Sequence, residues 1–247
     1  MSSERGPGSR SKSALYLDVA HALPPAVPTP TARKGVRRLC GTLLTIGVLE
    51  FVLSMAVEEL FLPGYSLQND VISDLGVGPH ALVFNASIIL LGVLIAGAAG
   101  LLPRALSGKG LTRIGIALLA LAALGAIGVG LFPEDSSALG GHAHTLFALV
   151  TFLTGNLSMF FLGPSIQGVL RARGLAILGY LGGTVGLVAL VLYASGNDLA
   201  LGPGGMERLI VAPLLLWGLI LGVTFLRASD GDRLTPWAPA GTPPSSM

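Results

Sequence analysis

Ala81-Leu-Val-Phe-Asn-Ala-Ser-Ile-Ile-Leu-Leu-Gly-Val-Leu-Ile-Ala-Gly-Ala-Ala-Gly-Leu-Leu102 runs for 22 residues without an Asp, Glu, Lys or Arg. At 1.5 Å per residue, a helix of this length crosses the roughly 30 Å hydrocarbon core of a bilayer. A strand of a membrane barrel would alternate polar and apolar residues, and this stretch does not. The same reading gives five further spans, at residues 39–57, 114–132, 145–162, 174–195 and 209–226. Only one span contains a charged residue, Glu50 in the first. The expected fold is all-α: a polytopic membrane protein built as a six-transmembrane-helix bundle. Pro133 follows the third span, and Pro103 and Pro164 follow the second and fourth. All three read as helix ends, because proline lacks a donor and clashes with the preceding turn.

Composition agrees with the spans. Of 247 residues, 52% are hydrophobic and 11% charged, where a soluble domain carries about 25% charged residues. A disordered chain is excluded, since it would be polar and charge-rich. A water-soluble globule is excluded too, because a fold of this size cannot hide so much apolar surface. Residues 1–35 read as a disordered cytoplasmic tail, within which 13–23 could form a short surface helix. Residues 36–228 form the membrane domain, and 229–247 a second flexible tail. Cys40 is the one cysteine, so no disulfide forms within the chain.

The basic residues set an expected orientation. Fourteen of the 15 Lys and Arg fall before the first span, after the sixth, or in the loops after the second and fourth. The positive-inside rule makes that side cytoplasmic, with both termini inside a plasma or inner membrane. The basic residues are therefore topology signals, and nucleic acid is not an expected partner. Membrane lipids are, with a second copy of this chain or another membrane protein as the alternative. Gly92 and Ala96, Gly125 and Gly128, and the pairs Gly179/Gly183 and Gly182/Gly186 supply small faces for helix packing, within the chain or between copies.

The opposite face carries eight acids and a single fixed cation, Arg208. Arg208 sits at the expected start of span six, where the helix dipole repels cations. That placement calls for an anionic partner, with Asp74 and Asp135 as candidates and a lipid phosphate as the alternative. Glu50 inside a span should face the bundle or be protonated. Glu50, Ser54 and Glu58 make one polar stripe. His144, Ala148, Thr151, Gly155 and Ser158 make another, and Asn85 lies near the same surface. These stripes line one cavity or form a buried network that fixes helix register. In the loop before span two, Leu67, Val71, Ile72 and Leu75 keep helical spacing, which predicts a short amphipathic interfacial helix.

The run Tyr65-Ser66-Leu67 … Ile72-Ser73-Asp74-Leu75-Gly76 … Phe84-Asn85 resembles the prokaryotic membrane family catalogued as "domain of unknown function 998". So do Gly130-Leu-Phe-Pro-Glu-Asp135, His144-Thr145-Leu146-Phe147-Ala148 and Gly205-Met-Glu-Arg208. The likeness covers about residues 38–227 and implies no established activity. Ser73-Asp74-Leu75-Gly76, the following Phe-Asn and the later His are also similar to the eukaryotic FRAG, DRAM and SFK family. Its members are linked to lipid remodelling and organisation, which implies a lipid-related role at the extracytoplasmic leaflet.

The leading expectation is a lipid-associated binding or accessory protein at that leaflet, with Asn85, Asp135, Glu207, Arg208 and Glu50 as binding residues. The rival is a lipid-modifying enzyme, with His144 as base, Ser73 as nucleophile and Asp74 as orienter. No Gly-x-Ser-x-Gly elbow supports that reading. A small-solute transporter is the third, and it would want a polar path across the whole membrane. No cofactor is assigned. Asp74, His144 and Glu207 carry suitable metal donors, but no HxxxH or HExxH pair exists, so no metal is assigned either.

Overall fold

The computed structural model describes residues 30–106 and 110–228. Of the tails expected at 1–35 and 229–247, residues 1–29, with the helix suggested at 13–23, and 229–247 lie outside the described residues. Six helices follow in order: α1 Pro30–Phe61, α2 Ala81–Ala105, α3 Leu111–Leu131, α4 Ala143–Leu170, α5 Arg173–Ala194 and α6 Gly202–Arg227. No strand occurs among the described residues. Each helix contains an 18-residue window of mean hydropathy between 1.8 and 2.5, of which at most half is buried. The remainder faces outward and is itself apolar, with Leu60, Leu82 and Val191 among the most exposed. Water would not tolerate such a surface over a whole protein, and hydrocarbon does. The chain is a multi-pass membrane protein.

The helices form a closed ring. Each packs on its sequence neighbours, and α6 returns to α1. A direct α4–α6 contact places α5 behind that pair. Small residues allow the approach. A Cβ added at Gly92 on α2 would come within 2.7 Å of the Ala123 carbonyl oxygen on α3. Gly125 and Gly128 on α3 receive Phe147 and Thr151 of α4, and Gly183 and Gly186 on α5 receive Asn156 and Phe160. These glycine faces are all occupied within the chain.

Two buried polar groups tie the ring across its helices. Asn156 donates to the Phe152 carbonyl on its own helix at 2.9 Å and to the Ile210 carbonyl on α6 at 3.3 Å. The Trp217 indole on α6 donates to the Leu175 carbonyl on α5 at 3.2 Å.

Several sequence expectations are corrected. Residues 30–35, assigned to a tail, begin α1. Pro103 and Pro164 lie inside α2 and α4 and do not end them. Both sit near a helix C-terminus, where neighbouring helices and local adjustments satisfy the freed carbonyls. Pro133 does follow the end of α3. α6 starts seven residues before the expected position 209. Gly202, at φ +72, begins it, and the Gly204 amide donates to the Gln68 carbonyl at 3.0 Å. Arg208 therefore stands in the second turn of α6 and not at its first residue.

The short helix expected in the first loop is present, as a 3-10 helix that is buried rather than laid along the interface. The 3-10 helix at Ile72–Gly76 buries Ile72, Ser73, Leu75 and Gly76 between the helix ends, while Leu67 and Val77 on either side of it stay exposed. Local side chains explain the difference. Asp70 accepts the Ser66 amide at 2.7 Å, and Asp74 accepts the Val71 amide at 2.9 Å. The Asp74 bond takes the Val71 amide from a helix that would run through residues 67–75 and caps a new, shorter one at Ile72.

Candidate functional site

The buried 3-10 helix closes one end of a cavity along the bundle axis. The cavity volume is about 90 Å³, several times what one buried water needs. α1, α2, α3, α4 and α6 line it, and α5 contributes nothing. Glu207 and Leu221 mark its two ends on α6, fourteen residues apart, a rise of roughly 21 Å. The wall is almost wholly apolar, from Leu44, Leu119 and Trp217 at the basic end to Phe51, Ile72 and Phe84 near the acidic end. Ser73, His144, Glu207 and, deeper, Thr151 are its polar members.

These polar members belong to one hydrogen-bonded assembly. Glu207, 7% exposed, accepts the backbone amide of Ile72 and so holds the N-terminus of the 3-10 helix against α6. A carboxylate is favoured at that position because the first amides of a helix lack internal partners. Ser73 Oγ donates to Glu134 Oε1 at 2.9 Å. The same Glu134 oxygen lies 3.9 Å from His144 Nε2. His144 Nδ1 is held 3.0 Å from the Phe132 carbonyl. Burial holds the Asp74 carboxyl above its usual range, and the neighbouring Glu134 carboxylate adds to the effect.

Ser73, Asp74, His144 and Glu207 thus come together at the acidic end, joined through Glu134. The order of contacts is not that of an acyl-transfer triad. There the serine hydroxyl donates its hydrogen bond to imidazole, whereas the Ser73 hydroxyl donates to Glu134. Among the described residues, no group of three or more His, Cys, Asp or Glu side chains is arranged to hold a metal ion.

The remaining candidates divide. Asn85 donates to the Gly76 carbonyl at 3.0 Å and pins the end of the 3-10 helix, outside the cavity lining. Arg208 does not pair with Asp74 or Asp135. It donates to Glu59 Oε1 at 2.5 Å and to Tyr65 Oη at 2.8 Å. Its other terminal nitrogen donates to the carbonyls of Leu67, Asp70 and Gly204. Asp135 lies exposed at the surface. Glu50 does not line the cavity, and its Oε2 is buried without a hydrogen-bond partner. Of the α1 stripe, the Ser54–Glu58 bond forms at 3.3 Å, away from the cavity. The α4 stripe does line it, at His144, Ala148 and Thr151.

Sequence reasoning missed Glu134, Glu59 and Tyr65 as organising residues. Each carried some signal. Glu134 and Tyr65 fall inside the family-like motifs, and Glu59 is one of the eight acids facing Arg208.

The family model described as "Protein of unknown function (DUF998)" matches residues 45–224, which takes in most of all six helices. No curated protein and no solved structure matches the chain.

Proposed function

We propose that this chain, which belongs to the DUF998 family, binds a single hydrocarbon chain of a lipid in its central cavity, with the lipid head at Ser73, His144 and Glu207. The observation that carries the reading is the shape and polarity of that cavity. It is a roughly 21 Å apolar channel whose polar groups cluster at one end. One leaflet of a bilayer is about 15 Å of hydrocarbon, so the apolar lining is as long as an acyl or alkyl chain, and its side chains part to admit one. Water gains nothing in such a lining, since a dry apolar cavity favours an apolar guest. The apolar lower half also argues against a small polar solute crossing by this route.

Ala126 and Val211 face the cavity from α3 and α6. Ala126→Phe fills the channel with apolar volume. The purified variant should melt at or above the wild-type temperature yet lose, by at least about tenfold, saturable binding of whichever of tritiated hexadecanol and hexadecyl phosphate the wild type binds. Val211→Phe serves in its place if Ala126→Phe does not fold. A folded, cavity-filled variant that binds those probes as the wild type does would sink the reading.

The acidic end is assigned to the extracytoplasmic leaflet by the distribution of basic residues. Ser137 is exposed at that end, and Cys40, the single native thiol, is buried. Ser137→Cys should therefore react with a membrane-impermeant maleimide in intact cells. Labelling only after permeabilisation would reverse the orientation.

A further inference from the structure

We infer that the polar end of the cavity selects a lipid whose head group donates hydrogen bonds, a hydroxyl or an ammonium, and rejects an anionic head. The inference rests on the chain-binding reading above and specifies its ligand.

It follows from an account of donors. Four side chains with N–H or O–H groups line the cavity, and each has spent its donor inside the protein. Ser73 Oγ donates to Glu134 at 2.9 Å. Thr151 Oγ1 donates to the Phe147 carbonyl at 2.9 Å. Trp217 Nε1 donates to the Leu175 carbonyl at 3.2 Å. His144 Nδ1 faces the Phe132 carbonyl at 3.0 Å. A carbonyl oxygen only accepts, so Nδ1 carries the hydrogen, and the neutral ring offers the lone pair of Nε2. His144 Nε2 faces Glu134 Oε1 at 3.9 Å.

The backbone amides at this end, Ile72 and Ser73, both face the Glu207 carboxyl. Arg208, the nearest fixed cation, is taken by Glu59, Tyr65 and three carbonyls, and it does not line the cavity.

What remains for a guest is acceptor capacity: the Ser73 oxygen, His144 Nε2 and the Glu207 carboxylate, with Glu134 and Asp74 beside them. A phosphate or carboxylate head would bring lone pairs to the lone pairs of Ser73, His144 and Glu207, with Glu134 and Asp74 beside them. It would lose its hydration with nothing in exchange. A hydroxyl or ammonium head supplies the missing hydrogens. A site built to complement one hydrogen-bonding pattern discriminates strongly against its opposite.

The test is competition against tritiated hexadecanol on the full chain in phosphatidylcholine nanodiscs, with hexadecanol, hexadecylamine, hexadecyl phosphate and hexadecane as competitors. The alcohol, the amine or both should displace the probe at concentrations at least about tenfold lower than the phosphate. The alcohol-to-amine ratio tells which donor head the site prefers. Glu207→Gln, which keeps an acceptor for the Ile72 amide and adds a donor, should narrow the preference against phosphate. Equal or tighter binding of the phosphate, with Ala126→Phe still abolishing binding, would overturn the head-group inference and leave the chain reading intact. So would an unchanged ratio in a folded Glu207→Gln. Absence of saturable binding for every probe would overturn both.

Discussion

Arg208→Met should lower the melting temperature of the purified protein by roughly 10 °C or more. The guanidinium makes five hydrogen bonds, to Glu59, Tyr65, Leu67, Asp70 and Gly204, and lies 5.6 Å from the centroid of the Tyr65 ring. Together these pin the loop that carries the 3-10 helix onto α1 and α6. The ion pair is largely shielded, with the Arg208 and Glu59 side chains 21% and 14% exposed. Methionine keeps the aliphatic bulk but strands a carboxylate and three carbonyls. Breaking a shielded pair by removing one partner costs about 3–5 kcal/mol, because the other charge is left uncompensated.

Tyr65 would stay protonated, since burial pushes its phenol up to about 12. It would still donate to the Val71 carbonyl, a bond of 2.9 Å in the native protein. Arg208→Lys should recover only part of the loss, because one ammonium cannot reproduce the fork. In a double-mutant cycle, Glu59→Gln should cost less on the Arg208→Met background than on the wild type. A melting temperature within about 2 °C of wild type for Arg208→Met would refute the anchoring role.

The six spans were legible because lipid imposes a simple rule: about twenty apolar residues per crossing, with charges outside. That rule does not specify helix ends. α6 begins at Gly202 because its first amides dock on the Gln68 carbonyl, a partner 136 positions away. Pro164 does not stop α4, since packing and not local propensity decides the matter there.

The site was half legible. Arg208 stood out because it breaks both the charge rule and the dipole rule. Its partner was misassigned because Asp74 and Asp135 lie in chemically similar loops, and only three-dimensional placement selects Glu59. Leu67, Val71, Ile72 and Leu75 look helical by spacing, yet Asp74 captures the Val71 amide that a continuous helix would need and restarts the chain as a 3-10 helix at Ile72. Glu134 was missed because an acid near the membrane surface is ordinary until Ser73 and His144 are seen on either side of it. Glu50 remains a polar atom in a packed span, and nothing around it in the structure explains its oxygen.

Gly92→Leu and Gly100→Leu should part widely, although both place the same side chain on α2. At Gly92, a Cβ would stand 2.7 Å from the Ala123 carbonyl oxygen, 2.7 Å from Ile127 Cγ1 and 3.0 Å from the Ile127 amide nitrogen. Two of those neighbours are backbone and cannot turn aside, so α2 and α3 must separate. Overpacking of this kind costs about 3 kcal/mol or more. The same pair of helices forms the cavity wall at Leu91, Ala122 and Ala126, so probe binding should fall along with stability. At Gly100, nothing lies within 4 Å and the position is exposed. Leucine there replaces a flexible residue with a better helix former facing lipid, and stability should hold or rise slightly. Thermal unfolding and hexadecanol binding of the two variants, side by side, decide the matter. Equal behaviour would mean that α2 does not meet α3 through Gly92, and the cavity between them would lose its wall.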